Sequence, residues 1–150
     1  MNIAITTDID FIVSCVTNPC NYGKLVDDYS PDPGLYFPPM HEGLMWVKVE
    51  DYGVFLLTKQ SHIMYEVHTV LLPHTRGKAV EIGKNALKWA FANTDAKRII
   101  TAVPSYNQLA LRLAHKVGFK EYGINPASFQ KDGVLYSQTL LGISKEESWQ

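Results

Sequence analysis

The nine residues Leu71-Leu72-Pro73-His74-Thr75-Arg76-Gly77-Lys78-Ala79 constrain the fold of this chain more than any other stretch. Val67 to Leu72 is apolar and β-branched, and a proline that cannot donate to a sheet ladder closes it, so it reads as a strand. Behind it Ala79, Ile82, Ala86, Leu87, Ala90 and Phe91 recur at helical spacing, which predicts a helix from Gly77 to about Asn93. Arg98 to Val103 is a second apolar strand, ended by Pro104, and the long helix crosses between the two. Where that helix opens, several backbone N–H groups lack partners and the dipole favours negative charge. The turn at Arg76, Gly77, Lys78 and Ala79 is therefore a candidate anion site, most naturally for phosphate. An ordinary connection with solvated basic side chains is the other reading of the same residues.

The flanking segments extend the pattern. Ile3 to Thr6 is a short first strand, and Asp8 or Asp10 caps a helix that turns Phe11, Ile12, Cys15 and Val16 inward and ends near Asn18-Pro19. Tyr22 to Tyr29 is expected to form a second short helix. Pro31, Pro33, Pro38 and Pro39 make Ser30 to Met40 an extended surface loop, of a kind that either lines a cleft or merely covers the surface. Leu44 to Glu50 and Val54 to Lys59 form a hairpin around Asp51-Tyr52-Gly53, and Gln60-Ser61-His62 leads into the strand from Ile63 to Leu72. Beyond Pro104, Ser105 is expected to cap a helix with Leu109, Leu113 and Val117 on one stripe, and Gly118 ends it. Phe119 to Ile124 and Val134 to Gly142 are strands around Lys131-Asp132-Gly133, and the polar tail from Ser144 is expected to fray. This order predicts an α/β (α+β) domain over residues 1–150. Its mixed sheet has six to seven strands, antiparallel first and parallel where the long helix crosses, with about four helices around it. In such sheets ligands bind beyond the carboxyl ends of the parallel strands, which brings the basic turn and Ser105-Tyr106-Asn107 to one cleft.

Composition narrows the function. A chain of 150 residues, 46% hydrophobic and 19% charged, is long enough for a real core and is not of the disordered class. A net charge of −1 argues against nucleic acid or an anionic membrane as partner. The only cysteines, Cys15 and Cys20, have no clustered Cys or His at metal-ligand spacing, so free thiols and no metal are expected. The N-terminus lacks the basic and apolar regions of a signal peptide, and no apolar run reaches membrane-span length. Together these features read as a cytoplasmic protein.

The element order and two turns resemble the GNAT superfamily of acyl-CoA-dependent N-acyltransferases, best from about Leu44 to Leu141. One family motif, an apolar strand then Pro-x-x-Arg-Gly-x-Gly and a helix, reads here as Leu71 to Ala79. The other, Asn-x-x-Ala with a helix ending in Gly-Phe, reads as Asn107 to Ala110 and Gly118-Phe119. The C-terminal half also resembles GNAT-like proteins of tailed bacteriophages. The resemblance implies acetyl-CoA as co-substrate, with its pyrophosphate on the backbone of Arg76, Gly77, Lys78 and Ala79. It implies pantetheine pairing at Leu71 and Leu72, with Asn107 and Ala110 on the far side. Two departures stand out. Glu81 puts a carboxylate near the phosphate turn. Ala114 stands where the family often has a tyrosine that protonates the departing thiolate.

Transfer to an amine needs a proton acceptor and donors for an oxyanion. Glu66 and His68, two apart on one strand face, are the candidate base, with Tyr65 on the opposite face as the fallback. Structural hydrogen bonding is the competing role for both. His62 and His74 read as turn residues, Trp46, Trp89 and Phe91 as core, and neither cysteine as a nucleophile. The expected activity is acetyl transfer from acetyl-CoA to an amine-bearing small molecule or protein. The alternative is an inactive GNAT-like binding or assembly protein, such as a phage structural component associated with the virion.

Overall fold

The computed structural model describes residues 1–149. Seven strands form one sheet in the order β1-β2-β3-β4-β5-β7-β6. They are β1 (Ile3–Ile5), β2 (Leu44–Val49), β3 (Gly53–Lys59), β4 (Met64–Leu71), β5 (Arg98–Pro104), β6 (Lys120–Lys131) and β7 (Val134–Ser144). The helices are α1 (Ile9–Val16), α2 (Pro19–Leu25), α3 (Ala79–Asn93) and α4 (Gln108–Val117). Only β4 and β5 run parallel, joined by α3, while the neighbouring pairs are antiparallel. A crossover helix is what a parallel pair requires, and the 15-residue α3 supplies it.

Strand alternation divides the core between two sheet faces. Val47, Phe55, Leu57, Tyr65, Val67, Ile99 and Leu141 pack against α3 and α4. Trp46, Val54 and Val70 pack on the other face against Ile12, Cys15, Val16 and Tyr22 of α1 and α2. No described helix is long and apolar enough to cross a membrane.

Several expectations need correction. The second helix is Pro19–Leu25 rather than Tyr22 to Tyr29, because Asn18 accepts from the Cys20 amide and Pro19 takes the first helical position. Asn18-Pro19 therefore both ends one helix and begins the next. Within the Pro-rich loop, Pro33–Leu35 forms one 3-10 turn. The chain also winds a 3-10 turn over Pro73–Thr75 before α3, which starts at Ala79 rather than Gly77. Gly77 adopts a φ of +90°, a left-handed conformation that suits glycine. Helix α4 is capped by Asn107, whose Oδ1 accepts from the Ala110 amide, and not by Ser105. The Ser105 N–H instead donates to Ser137 O, which extends the sheet past the proline.

Strand β6 runs on to Lys131 because irregularities between Glu121 and Gly123 and between Asn125 and Phe129 absorb Pro126 without ending the pairing. The tail is also ordered as far as it is described. Residues Glu147–Trp149 form a 3-10 turn, with Glu147 paired to Lys120 at 2.7 Å and accepting from the Ser144 amide.

Candidate active site

The site begins where the parallel pairing stops. β4 and β5 are in register only at Met64↔Arg98, Tyr65↔Ile99 and Glu66↔Ile100. Each stays fully paired on its outer side, β4 with β3 and β5 with β7. From Val67 and Thr101 onward the two strands diverge, and the Thr101 hydroxyl donates to Val67 O at 3.0 Å to close the apex of the wedge.

Hydrogen-bond alternation shows which backbone groups face that wedge. The Leu72 N–H donates to Tyr52 O on the β3 side. The polar groups of Leu71 and Thr69 therefore turn the other way, toward β5. Leu71 O accepts from Asn21 Nδ2 at 2.8 Å. The Leu71 N–H and both groups of Thr69 lie beyond the last β4–β5 register pair. Leu72, expected beside Leu71 in the cleft, is instead a turn anchor. Its N–H is taken by β3, its carbonyl accepts from the amide and hydroxyl of Thr75, and its side chain packs toward α1 and α2. Thr69, three residues earlier, takes its place in the cleft.

At the outer end of the wedge lies the basic turn. Lys78 caps α3 without a side-chain hydrogen bond. Among the described residues, no hydrogen bond takes the N–H groups of Gly77, Ala79, Val80 or Glu81. This is the anion-accepting end that the helix dipole favours. Arg76 and Lys78 are exposed beside it, and the Lys78 ammonium lies 5.2 Å from the centre of the Tyr52 ring. His74 lies 3.8 Å from Asp51 and is a turn residue. Glu81 is exposed in the first helical turn, while the basic side chains flank the same turn.

The cleft between these points is lined by Leu71 and Ala79 on one side and by Asn107, Ala110 and Ala114 of the α4 side on the other. Lys24, Leu25, Phe129 and Gln138 border it as well. Thr69, Thr101, Asn21 and Gln138 carried no motif in the sequence, and only the strand register and helix packing reveal them.

Glu66 and His68 come together on the α1–α2 face. His68 Nε2 lies 2.6 Å from Glu66 Oε1, and His68 also borders the cleft. The hydrogen bond from His68, against the opposing effect of burial, holds the Glu66 carboxyl below its ordinary value. With Nε2 directed at the carboxylate, Nδ1 is the imidazole nitrogen left for another partner. Tyr65, by contrast, is buried in the core under α3. Tyr106 donates to Lys24 O and stacks edge-on against Tyr136 at 5.0 Å. Burial first, then Tyr136, Asp132 and Asp27, push its phenol upward. Burial likewise pushes the Cys15 thiol up to about 11, which makes it inert as a nucleophile. Among the described residues no group of three or more His, Cys, Asp or Glu side chains is arranged to hold a metal ion.

This architecture recurs in solved structures. Spermidine N-acetyltransferase from Vibrio cholerae, in complex with CoA and spermine, matches with a TM-score of 0.80 at 18% identity, covering 99% of this chain and 98% of that one. The protein smu.2055 from Streptococcus mutans matches at 0.73 and 15% identity, over 96% and 99%. An acetyltransferase (GNAT family) from Bacillus anthracis matches at 0.59 and 21%, over 70% and 68%. The fold is that of the GNAT acetyltransferases. Residues 3–148 match the family described as Protein of unknown function (DUF2824). No curated protein matches the chain.

Proposed function

Since the chain belongs to the DUF2824 family and carries the GNAT fold, we propose that it is an N-acetyltransferase moving an acetyl group from acetyl-CoA directly to an amine. One observation carries this reading: β4 and β5 part just beyond Glu66 and Ile100, above an α3 whose first amides have no partner. The wedge has the features that an acyl-CoA needs. The amides of Gly77, Ala79, Val80 and Glu81, with Arg76 and Lys78 beside them, suit a pyrophosphate. The free edge of β4 at Leu71 and Thr69 suits the amides of a pantetheine arm, which adds like a short strand. Asn107 and Ala110 form the opposite wall. When bound, acetyl-CoA supplies the activated acyl carbon, and the Thr69 N–H is the donor positioned for its developing oxyanion.

The acceptor comes from the α1–α2 face, where Glu66 and His68 stand. As the C–N bond forms and the C–S bond breaks, the amine proton passes to His68 Nδ1, and Glu66 steadies the resulting imidazolium. Ala114 has no proton to give, so the departing sulfur is protonated by solvent. The likeness to spermidine N-acetyltransferase supports a small amine as acceptor. The single domain of 1–150 and a cytoplasmic setting belong to the same proposal.

Ala114 is also the observation behind a second reading, a non-catalytic binding component such as a phage particle would carry. Thiol release separates the two. Calorimetric titration should find acetyl-CoA binding, and a ligand at a hundred times Kd should stabilise the fold by about 2.7 kcal/mol. Thiol release in the presence of a panel of amines should then follow. Binding without release by any amine favours the second reading, and no binding at millimolar acetyl-CoA removes both.

A further inference from the structure

Helix α2 is tied to both lips of the wedge. On the β4 side Asn21 donates from Nδ2 to Leu71 O at 2.8 Å and to Cys15 O at 3.0 Å, so one amide joins α1, α2 and the outer end of β4. On the β5 side the Tyr106 hydroxyl, in the turn between β5 and α4, donates to Lys24 O at 3.1 Å. Lys131 of β6 donates to Gly23 O and, at 3.2 Å, to Val26 O. The last carbonyls of a helix have no partner within it. Here Gly23 O and Lys24 O are taken by side chains from the opposite lip. Tyr22 is the one buried residue of α2, so apolar packing does little to fix the helix and these bonds set its position. Between them Lys24 and Leu25 line the cleft, together with His68, Thr69, Pro104 and Asn107.

Resting on the acetyltransferase reading above, we propose that α2 is a strap pinned across the wedge, with Asn21 and Tyr106 as its positioning residues, and that it denies water access to the bound thioester. Placement supports it. The Thr69 backbone, assigned above to the oxyanion, shares its cleft with Lys24 and Leu25, so the strap stands over the reacting carbon. Closing a site in this way suppresses hydrolysis of a reactive group. Where the strap loosens, water adds to the acyl carbon, the C–S bond breaks, and acetate, a proton and the CoA thiol leave.

The test compares thiol released with amide formed, using acetyl-CoA and a panel of amines on the whole chain. Wild type should yield the two in equal amounts. Tyr106→Phe keeps the ring against Tyr136 and Phe129 and removes one pin, while Asn21→Ala removes the other. Each should raise thiol release without amine by roughly three- to tenfold, the factor by which losing one ordinary hydrogen bond shifts an opening equilibrium. Each should also push thiol above amide when amine is present. Tyr29→Phe, which removes an exposed bond to Gln130 away from the cleft, should leave the ratio unchanged. A merely structural role would lower stability and not move this ratio. Should one pin variant not fold, the other decides. Equal thiol and amide in the pin variants, or the same excess in Tyr29→Phe, overturns the strap and spares the acetyltransferase reading. A wild type that releases no thiol with any amine overturns both.

Discussion

At position 68 one short contact organises the chemistry proposed for the site. Because His68 Nε2 engages Glu66 at 2.6 Å and depresses its carboxyl, the pair presents an oriented imidazole rather than two independent polar groups. His68→Ala should lower kcat by about 10²–10⁴-fold, the usual scale for a positioned base, and leave acetyl-CoA affinity unchanged in a parallel titration. Equal kcat in both proteins would assign the pair a structural role. Asn107 carries a different kind of prediction. As the true cap of α4, its replacement by Ala should cost about 1 kcal/mol in urea unfolding. Ser105→Ala should stay within about 0.5 kcal/mol. The sequence pointed to Ser105 as the cap. The strand decides for Asn107, since continuing β5 through Pro104 commits the Ser105 amide to Ser137.

Among the elements, α3 and α4 meet at Gly83. A Cβ there would come within 2.6 Å of Val117 Cγ2, a side chain too stiff to yield cheaply. Gly83→Val should therefore destabilise the fold by about 1–3 kcal/mol, read from chemical denaturation. The tail makes a pH prediction. Lys120 first, then the Ser144 amide, hold Glu147 at about 2 against an ordinary 4.5. A carboxyl depressed on folding contributes stability that is fully present above the unfolded value and is lost as pH falls through the folded one. The contribution should thus vanish between pH 4.5 and about 2, and Glu147→Gln should remove that part of the acid limb of a stability–pH curve. This ordering was not legible beforehand, because a polar tail reads as frayed until its partner on β6 is known. Elements defined by local period, such as β4, α3 and β5, were legible with small errors at their ends. Elements shaped by distant partners, such as β6 with its irregular pairing to β7, were not. Asp28 shows the dependence, since its carboxylate accepts from the amides of Asp132 and Gly133 more than 100 residues away.

For the whole molecule, topology converts two short motifs into one site. Strand order brings the basic turn of α3 and the Asn107 cap of α4 to the same end of the sheet, on either side of a wedge. Of the motif residues that the resemblance singled out, Ala79, Asn107 and Ala110 line the cleft, and Arg76, Gly77 and Lys78 form the turn just before α3. Thr69 and the exclusion of Leu72 could not be read, because they follow from which way each peptide points once β3 has claimed alternate groups. The claim that unites these features is that acetyl-CoA occupies the wedge by pairing with the free edge of β4. Amide hydrogen exchange, followed residue by residue with and without saturating acetyl-CoA, tests it most directly. The Thr69 and Leu71 amides and those of Ala79 to Glu81 should slow on binding, while exposed amides of the distant β1 edge stay unchanged. Exchange at Thr69 and Leu71 that is untouched by saturating acetyl-CoA would contradict the account.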